Sequence, residues 1–162
     1  MAAAGVVVLS VPGVAHASCS AARARPSSVS LKAVRHATLC LLNHERRRHH
    51  LRPLRENRTL DRASRRHSRA MARKNFFEHG DFAARIRRAG YHGYTLGENI
   101  AWGSLSYSTP KSIVRLWMHS PGHRANILRP QFTQIGIGIA RGAPERGVHG
   151  AAVYTTDFGR PA

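Results

Sequence analysis

The chain has 162 residues, room for one compact domain and too little for two of ordinary size. Lys and Arg number 26 against 8 Asp and Glu, a formal charge of +18 with 42% hydrophobic residues, which excludes a disordered polyelectrolyte and points to anionic surroundings. No run reaches the roughly 18 apolar residues of a membrane-spanning helix, so no transmembrane anchor is expected.

Gly5 to Val14 form a short apolar stretch ending in Ala15-His16-Ala17, the small-x-small pattern of a signal-peptidase site. Residues 1–17 are therefore expected to be a signal peptide and the mature protein to be secreted or associated with the cell envelope. A lipoprotein anchor at Cys19 is the rival, set aside because His16 stands where an aliphatic residue is usual. Export would place the only cysteines, Cys19 and Cys40, in an oxidising compartment, and a disulfide between them is expected. It would tie an N-terminal segment, 18–34, to the domain at 35–160, closing a loop worth roughly 3 kcal/mol in the chain-entropy model.

From Ser30 to about His49, Leu31, Val34, Thr38, Leu41 and Leu42 recur at helical steps with arginines opposite. After Leu51-Arg52-Pro53-Leu54, Thr59 or Asp61 can cap a second helix ending near Asn75, with Leu60, Ala63, His67, Ala70 and Met71 on one side. A third, Phe82 to Ala89, is stopped by Gly90. Gly97 to Gly103 is brief and mixed. Thr109-Pro110 and Ser120-Pro121 each open a further helix, the first lined by Ile113, Val114, Trp117 and Met118. Beyond Pro130 the period becomes two, Ile135-Ile137-Ile139 and Val153-Thr155-Asp157, predicting an antiparallel hairpin with a long loop over 141–150. Helices first and strands last argue an α+β fold.

Two motifs fail on geometry. His44 and His49 are five residues apart, about 140° around a helix, and cannot share a metal as an i, i+4 pair does. Gly136 and Gly138 lack the following helix that a phosphate loop needs. A dispersed set is chemically stronger: His79, Glu98 and His123 each adjoin small or conformationally special residues, and two imidazoles with a carboxylate suit a divalent ion.

The ordered set Asn43-x-x-Arg46, Leu54, Phe77-x-His79, Gly90-Tyr91, Gly97-Glu98-Asn99-Ile100-Ala101-x-Gly103, Trp117-Met118-x-Ser120-Pro121-Gly122-His123-Arg124-x-Asn126-Ile127-Leu128, Ile135-Gly136-x-Gly138 and Asp157-Phe158-Gly159 resembles the bacterial branch of the superfamily of cysteine-rich secretory proteins, antigen 5 and pathogenesis-related 1 proteins. The arginine-heavy composition is similar to that of exported proteins of high-GC actinobacteria, where codon bias alone enriches arginine. The resemblance implies an α-β-α sandwich with a small central antiparallel sheet, its further strand including Asn99 to Trp102. It also implies a cleft in which two histidines and two acids hold a divalent metal, most often zinc. His79, Glu98 and His123 match three of those positions, while Ser120 stands where the eukaryotic pattern has the second acid. A serine hydroxyl is a poor zinc ligand, so the implied site would use three protein groups and water. Ser120, Trp102, Arg124 and Asn99 are expected to line the cleft, with Ser120 also capping its helix. Asn43 and Arg46 are expected to bond neighbouring backbone and acids, and Asp157 to pair with an arginine.

The function expected from these readings is an extracellular binding or interaction module, with anionic envelope polymers or lipids as partners and no sequence-specific nucleic acid. One alternative is a zinc-dependent hydrolase of peptide, wall polymer or phosphoester, with metal-bound water as nucleophile. Lipid or sterol binding between helices is another. No further acid adjoins the motifs, which leans against an enzyme.

Overall fold

The computed structural model describes residues 19–162, and the expected signal peptide, 1–17, lies outside the described residues. Local capping sets most helix starts. Helix α1, Leu31–Arg48, opens with the Ser30 side chain accepting from the Ala33 amide. Helix α2, Arg58–Lys74, is capped by Asn57, which accepts from the Thr59 and Leu60 amides, and not by Thr59 or Asp61. Asp61 is occupied instead by the Ile137 amide at 2.8 Å and by Arg35 at 3.7 Å. Asn75 ends α2 in the left-handed conformation. Helix α3, Phe82–Arg88, is capped by Asp81 and followed by Gly90 at φ +91°. Thr109 caps α4, Pro110–His119, and α5, Pro121–Ile127, follows directly after Ser120.

The expected hairpin is present as β3, Gln134–Arg141, and β4, Ala151–Pro161. Two further strands correct the helices-first order. Strand β1, Arg55–Glu56, pairs parallel with β3, so the sheet is antiparallel except at this short edge. Strand β2 runs over Gly93–Ser104, far beyond Asn99 to Trp102, and pairs antiparallel with β4. The sheet order is β1-β3-β4-β2, which puts β2 on one edge and β3, shielded by only two residues of β1, near the other. Ile135, Ile137, Ile139, Tyr154 and Phe158 join the core with α1, α4 and α5. On the opposite face Val153 packs on Met71 of α2, completing the expected α-β-α sandwich.

The glycines of β3 serve this packing. A Cβ on Gly136 would lie 2.0 Å from the Leu60 carbonyl carbon, and one on Gly138 would lie 2.2 Å from that of Ser64. Helix α2 therefore rests its backbone directly on the strand, which no larger residue would allow.

Arg46, one turn beyond Leu42 on the apolar face of α1, is 1% exposed. It donates to the carbonyls of Arg52 at 2.8 Å, Ile127 at 2.7 Å, and Arg129 and Phe132 at 3.0 Å each. Its partners are all backbone, with none of the acids expected. Asn43 similarly brackets Leu54, accepting from its amide and donating to its carbonyl. The expected Cys19–Cys40 disulfide is formed, and Arg141 holds the segment between by donating to the Pro26 and Val29 carbonyls.

Arg46→Leu should destabilise the domain by about 3 kcal/mol or more, because four inward-facing carbonyls lose a charged donor. A shift of the urea midpoint no larger than that of an exposed Arg→Leu control would refute this role.

Candidate functional site

Glu98 of β2 and Asp157 of β4 stand opposite each other in register, and both side chains are directed to the α2 side of the sheet. Glu98 is 4% exposed and Asp157 fully buried. Ser64 of α2 meets Asp157 Oδ2 at 2.8 Å, but Oδ1 has no donor apart from what the neighbouring Glu98 carboxyl can offer. A proton shared between the two acids would give that oxygen a partner. Burial raises the pKa of each, and the adjacent Glu98 charge raises that of Asp157 further.

The remaining charge on Glu98 is matched from outside the sheet. Its Oε1 accepts from His79 Nδ1 at 2.8 Å, and its Oε2 accepts from the Arg85 guanidinium of α3. Arg85 also donates to the His79 carbonyl at 3.0 Å, closing a ring of three residues. Burial, then Arg85, lowers the His79 pKa. On α5, His123 Nδ1 lies 2.9 Å from Ser120 Oγ, and its main-chain carbonyl accepts from Asn99 at 3.0 Å. Burial lowers its pKa, and nearby His79 lowers it further, so neutral imidazoles predominate at pH 7.

The cleft straddles an edge strand, β2. His79 and Arg85 approach from the α2–α3 side, while Ser120 and His123 come from the α4–α5 junction on the other side of β2. Two outward carbonyls of this edge strand are occupied by side chains: Asn126 donates to Glu98 at 3.1 Å and Trp117 to Ile100 at 3.1 Å.

The structure thus joins His79 to Glu98 directly and brings His123 within electrostatic reach of His79, with no hydrogen bond between the imidazoles. The expected lining residues divide differently. Ser120 occupies the N-cap position without making a cap hydrogen bond, a correction that follows from its engagement with His123. Asn99 is fully buried and acts as a bracket for α5. Trp102 packs against the cluster of Met71, Ile100 and Val153, while Arg124 is exposed on α5. Asp157 lies opposite Glu98 and bonds Ser64, and among the described residues no arginine bonds it, Arg85 donating to Glu98 and to the His79 carbonyl. Arg85, Ser64 and Asn126 carry site geometry that the sequence reading does not assign; only Asn126 lies within a quoted motif.

Among the described residues, no group of three or more His, Cys, Asp and Glu is arranged to hold a metal ion. At the cleft both Glu98 oxygens are engaged, by His79 and by Arg85. What remains available to an ion is Nε2 of His79 and of His123, with Glu98 acting as the carboxylate that orients an imidazole.

His67, beneath the cleft, bonds the Glu78 carbonyl through Nε2 at 2.9 Å, and burial followed by the Arg85 charge lowers its pKa to about 4. An unfolded imidazole titrates near 6.5, so unfolding takes up a proton between these values and stability should fall as pH drops from about 6.5 to about 4. His67→Gln, which keeps an N–H donor, should reduce that slope in urea midpoints measured across this range. An unchanged slope would show that His67 does not titrate on unfolding.

The cysteine-rich secretory protein family, CAP, matches residues 39–157. The uncharacterized protein YkwD of Bacillus subtilis (strain 168) is 42% identical over 138 residues, covering 82% of this chain and 49% of YkwD. The uncharacterized membrane protein YlbC of the same organism is 31% identical over 80 residues, 46% of this chain and 22% of YlbC. The chain therefore spans half or less of the curated relatives it matches. An extracellular protein containing an SCP domain from Bacillus anthracis str. Ames is 26% identical with a TM-score of 0.63, covering 82% of this chain and 44% of that one. An outer surface protein from Borrelia burgdorferi shares the fold, with a TM-score of 0.71 at 16% identity, covering 83% of this chain and 97% of that one. With the ordered motifs, the fold and most of the chain in agreement, this protein belongs to the cysteine-rich secretory protein family as a bacterial CAP/SCP domain.

Proposed function

We propose that this CAP domain works outside the cytoplasm as a binding module, presenting two neutral imidazoles at a cleft and not a hydrolytic centre. The observation that carries this reading is the engagement of both Glu98 oxygens, Oε1 by His79 and Oε2 by Arg85. A carboxylate so occupied is unsuited to deprotonating water. Ser120 Oγ and His123 Nδ1 lie 2.9 Å apart, but among the described residues no acid is bonded to the imidazole to orient it as a base. Neutral imidazole nitrogens are good ligands for a divalent ion, and zinc is the ion best suited to such donors. The extracellular placement draws on the Bacillus anthracis relative, described as extracellular, and on the expected signal peptide.

Calorimetric titration of zinc into the purified protein tests the cleft. His79→Ala and His123→Ala should each weaken uptake by about tenfold or more, as should Glu98→Gln through loss of the orienting carboxylate. Equal uptake in all the proteins would remove the ion from this reading. Turnover of a peptide, wall fragment or phosphodiester that disappears on chelation would replace the binding module with a hydrolase.

A further inference from the structure

The opposite edge of the sheet carries a second feature, independent of the cleft. A groove of about 470 Å³ lies between α1 and α2 and is lined by Arg35, Arg58, Arg62, Arg65, Arg66 and Arg69, with Asp61 its one acid. It continues beside Ile137 and Ile139 of β3, where β1 no longer shields the sheet edge.

Its charge is organised by the helix. Arginines occur in α2 at 58, 62, 65, 66, 69 and 73, three- and four-residue steps that set them on one stripe. The buried residues Leu60, Ser64, His67 and Met71 occupy the other side of the helix. From Arg58 to Arg73 the stripe extends roughly 22 Å at 1.5 Å per residue, six arginines over about four turns. Asp61 does not neutralise it, being held by the Ile137 amide and Arg35. Arg35 is further paired with Glu56, and Arg62 is bonded to the Ala89 carbonyl. Among the described residues, Arg58, Arg65, Arg66, Arg69 and Arg73 have no carboxylate partner. Like charges one turn apart repel, so an anionic occupant would relieve a tension that the fold itself leaves in place.

We propose that this groove binds a linear phosphodiester polyanion laid along α2. A row of cations suits a chain with one anionic charge per repeat, and each guanidinium fork matches two oxygens of a phosphate. The surface suits a polymer better than a bilayer. Membrane-surface helices insert exposed apolar side chains, whereas Ile137 and Ile139 beside this stripe are 1% and 6% exposed.

The test uses fluorescent oligo(glycerol phosphate) and the purified protein across a salt series. Arg65→Gln/Arg66→Gln/Arg69→Gln should weaken binding about tenfold or more and reduce the salt slope by about two units, as loss of three phosphate contacts requires. Arg87→Gln/Arg115→Gln/Arg146→Gln removes the same charge from exposed positions elsewhere and should change affinity less than about threefold. All six positions are exposed, and matching urea midpoints would confirm that the variants fold. Equal losses in the two triple variants would overturn the site in favour of diffuse charge. Tighter binding to phosphatidylglycerol vesicles at equal phosphate would overturn it in favour of a membrane surface. Binding of inorganic phosphate as tight as that of the oligomer would overturn the extended groove.

Discussion

Two carboxyl groups side by side in the interior, Glu98 and Asp157, constrain everything around the cleft. Strand pairing puts them opposite each other, where burial and their mutual repulsion favour taking up a proton and call for a cation beside the charge that remains. Arg85 supplies that cation, which fixes where α3 must sit; His79 takes the other Glu98 oxygen, which fixes the loop before it. Ser64 turns toward Asp157 from α2. An electrostatic requirement thus couples two strands, two helices and a loop that apolar packing alone would leave freer to shift.

The same principle operates in Arg46, where a charged side chain gathers backbone carbonyls from distant segments and is satisfied without an acid. Its role is only partly readable from sequence. Capping is local, so Ser30, Thr109-Pro110 and the glycine after α3 mark helix boundaries directly. Strand β2 is less legible, because Glu98 and Asn99 are buried polar residues and its glycines serve close approaches: a Cβ on Gly97 would lie 2.7 Å from the Phe132 ring. Strand β1 has no local signature, since the Arg55 and Asn57 amides find the Thr133 and Ile135 carbonyls only after the chain folds back.

Legibility within the cleft divides along similar lines. His79, Glu98 and His123 stand out through their place in an ordered set of motifs, although their separations in sequence give no hint that the chain gathers them. Arg85 is concealed by abundance, one arginine among many, and only the buried acid beside it distinguishes it. Ser120 reads as a cap because Ser-Pro at a helix start satisfies that local rule. The hydroxyl instead meets the imidazole three residues later in the same turn, a competitor as local as the cap. Gly136 and Gly138 are legible as strand residues, but their reason for being glycine lies in α2, far earlier in the chain.

The two margins of the sheet resist self-association by different means. Trp117 and Asn126 plug outward carbonyls of β2, depriving an incoming strand of acceptors it would need to extend the sheet. Along β3 the backbone is less covered, yet another copy approaching edgewise would bring one arginine row against its twin. A protein of this kind can accumulate to high local concentration with its strands guarded, on one flank by occupied acceptors and on the other by mutual repulsion.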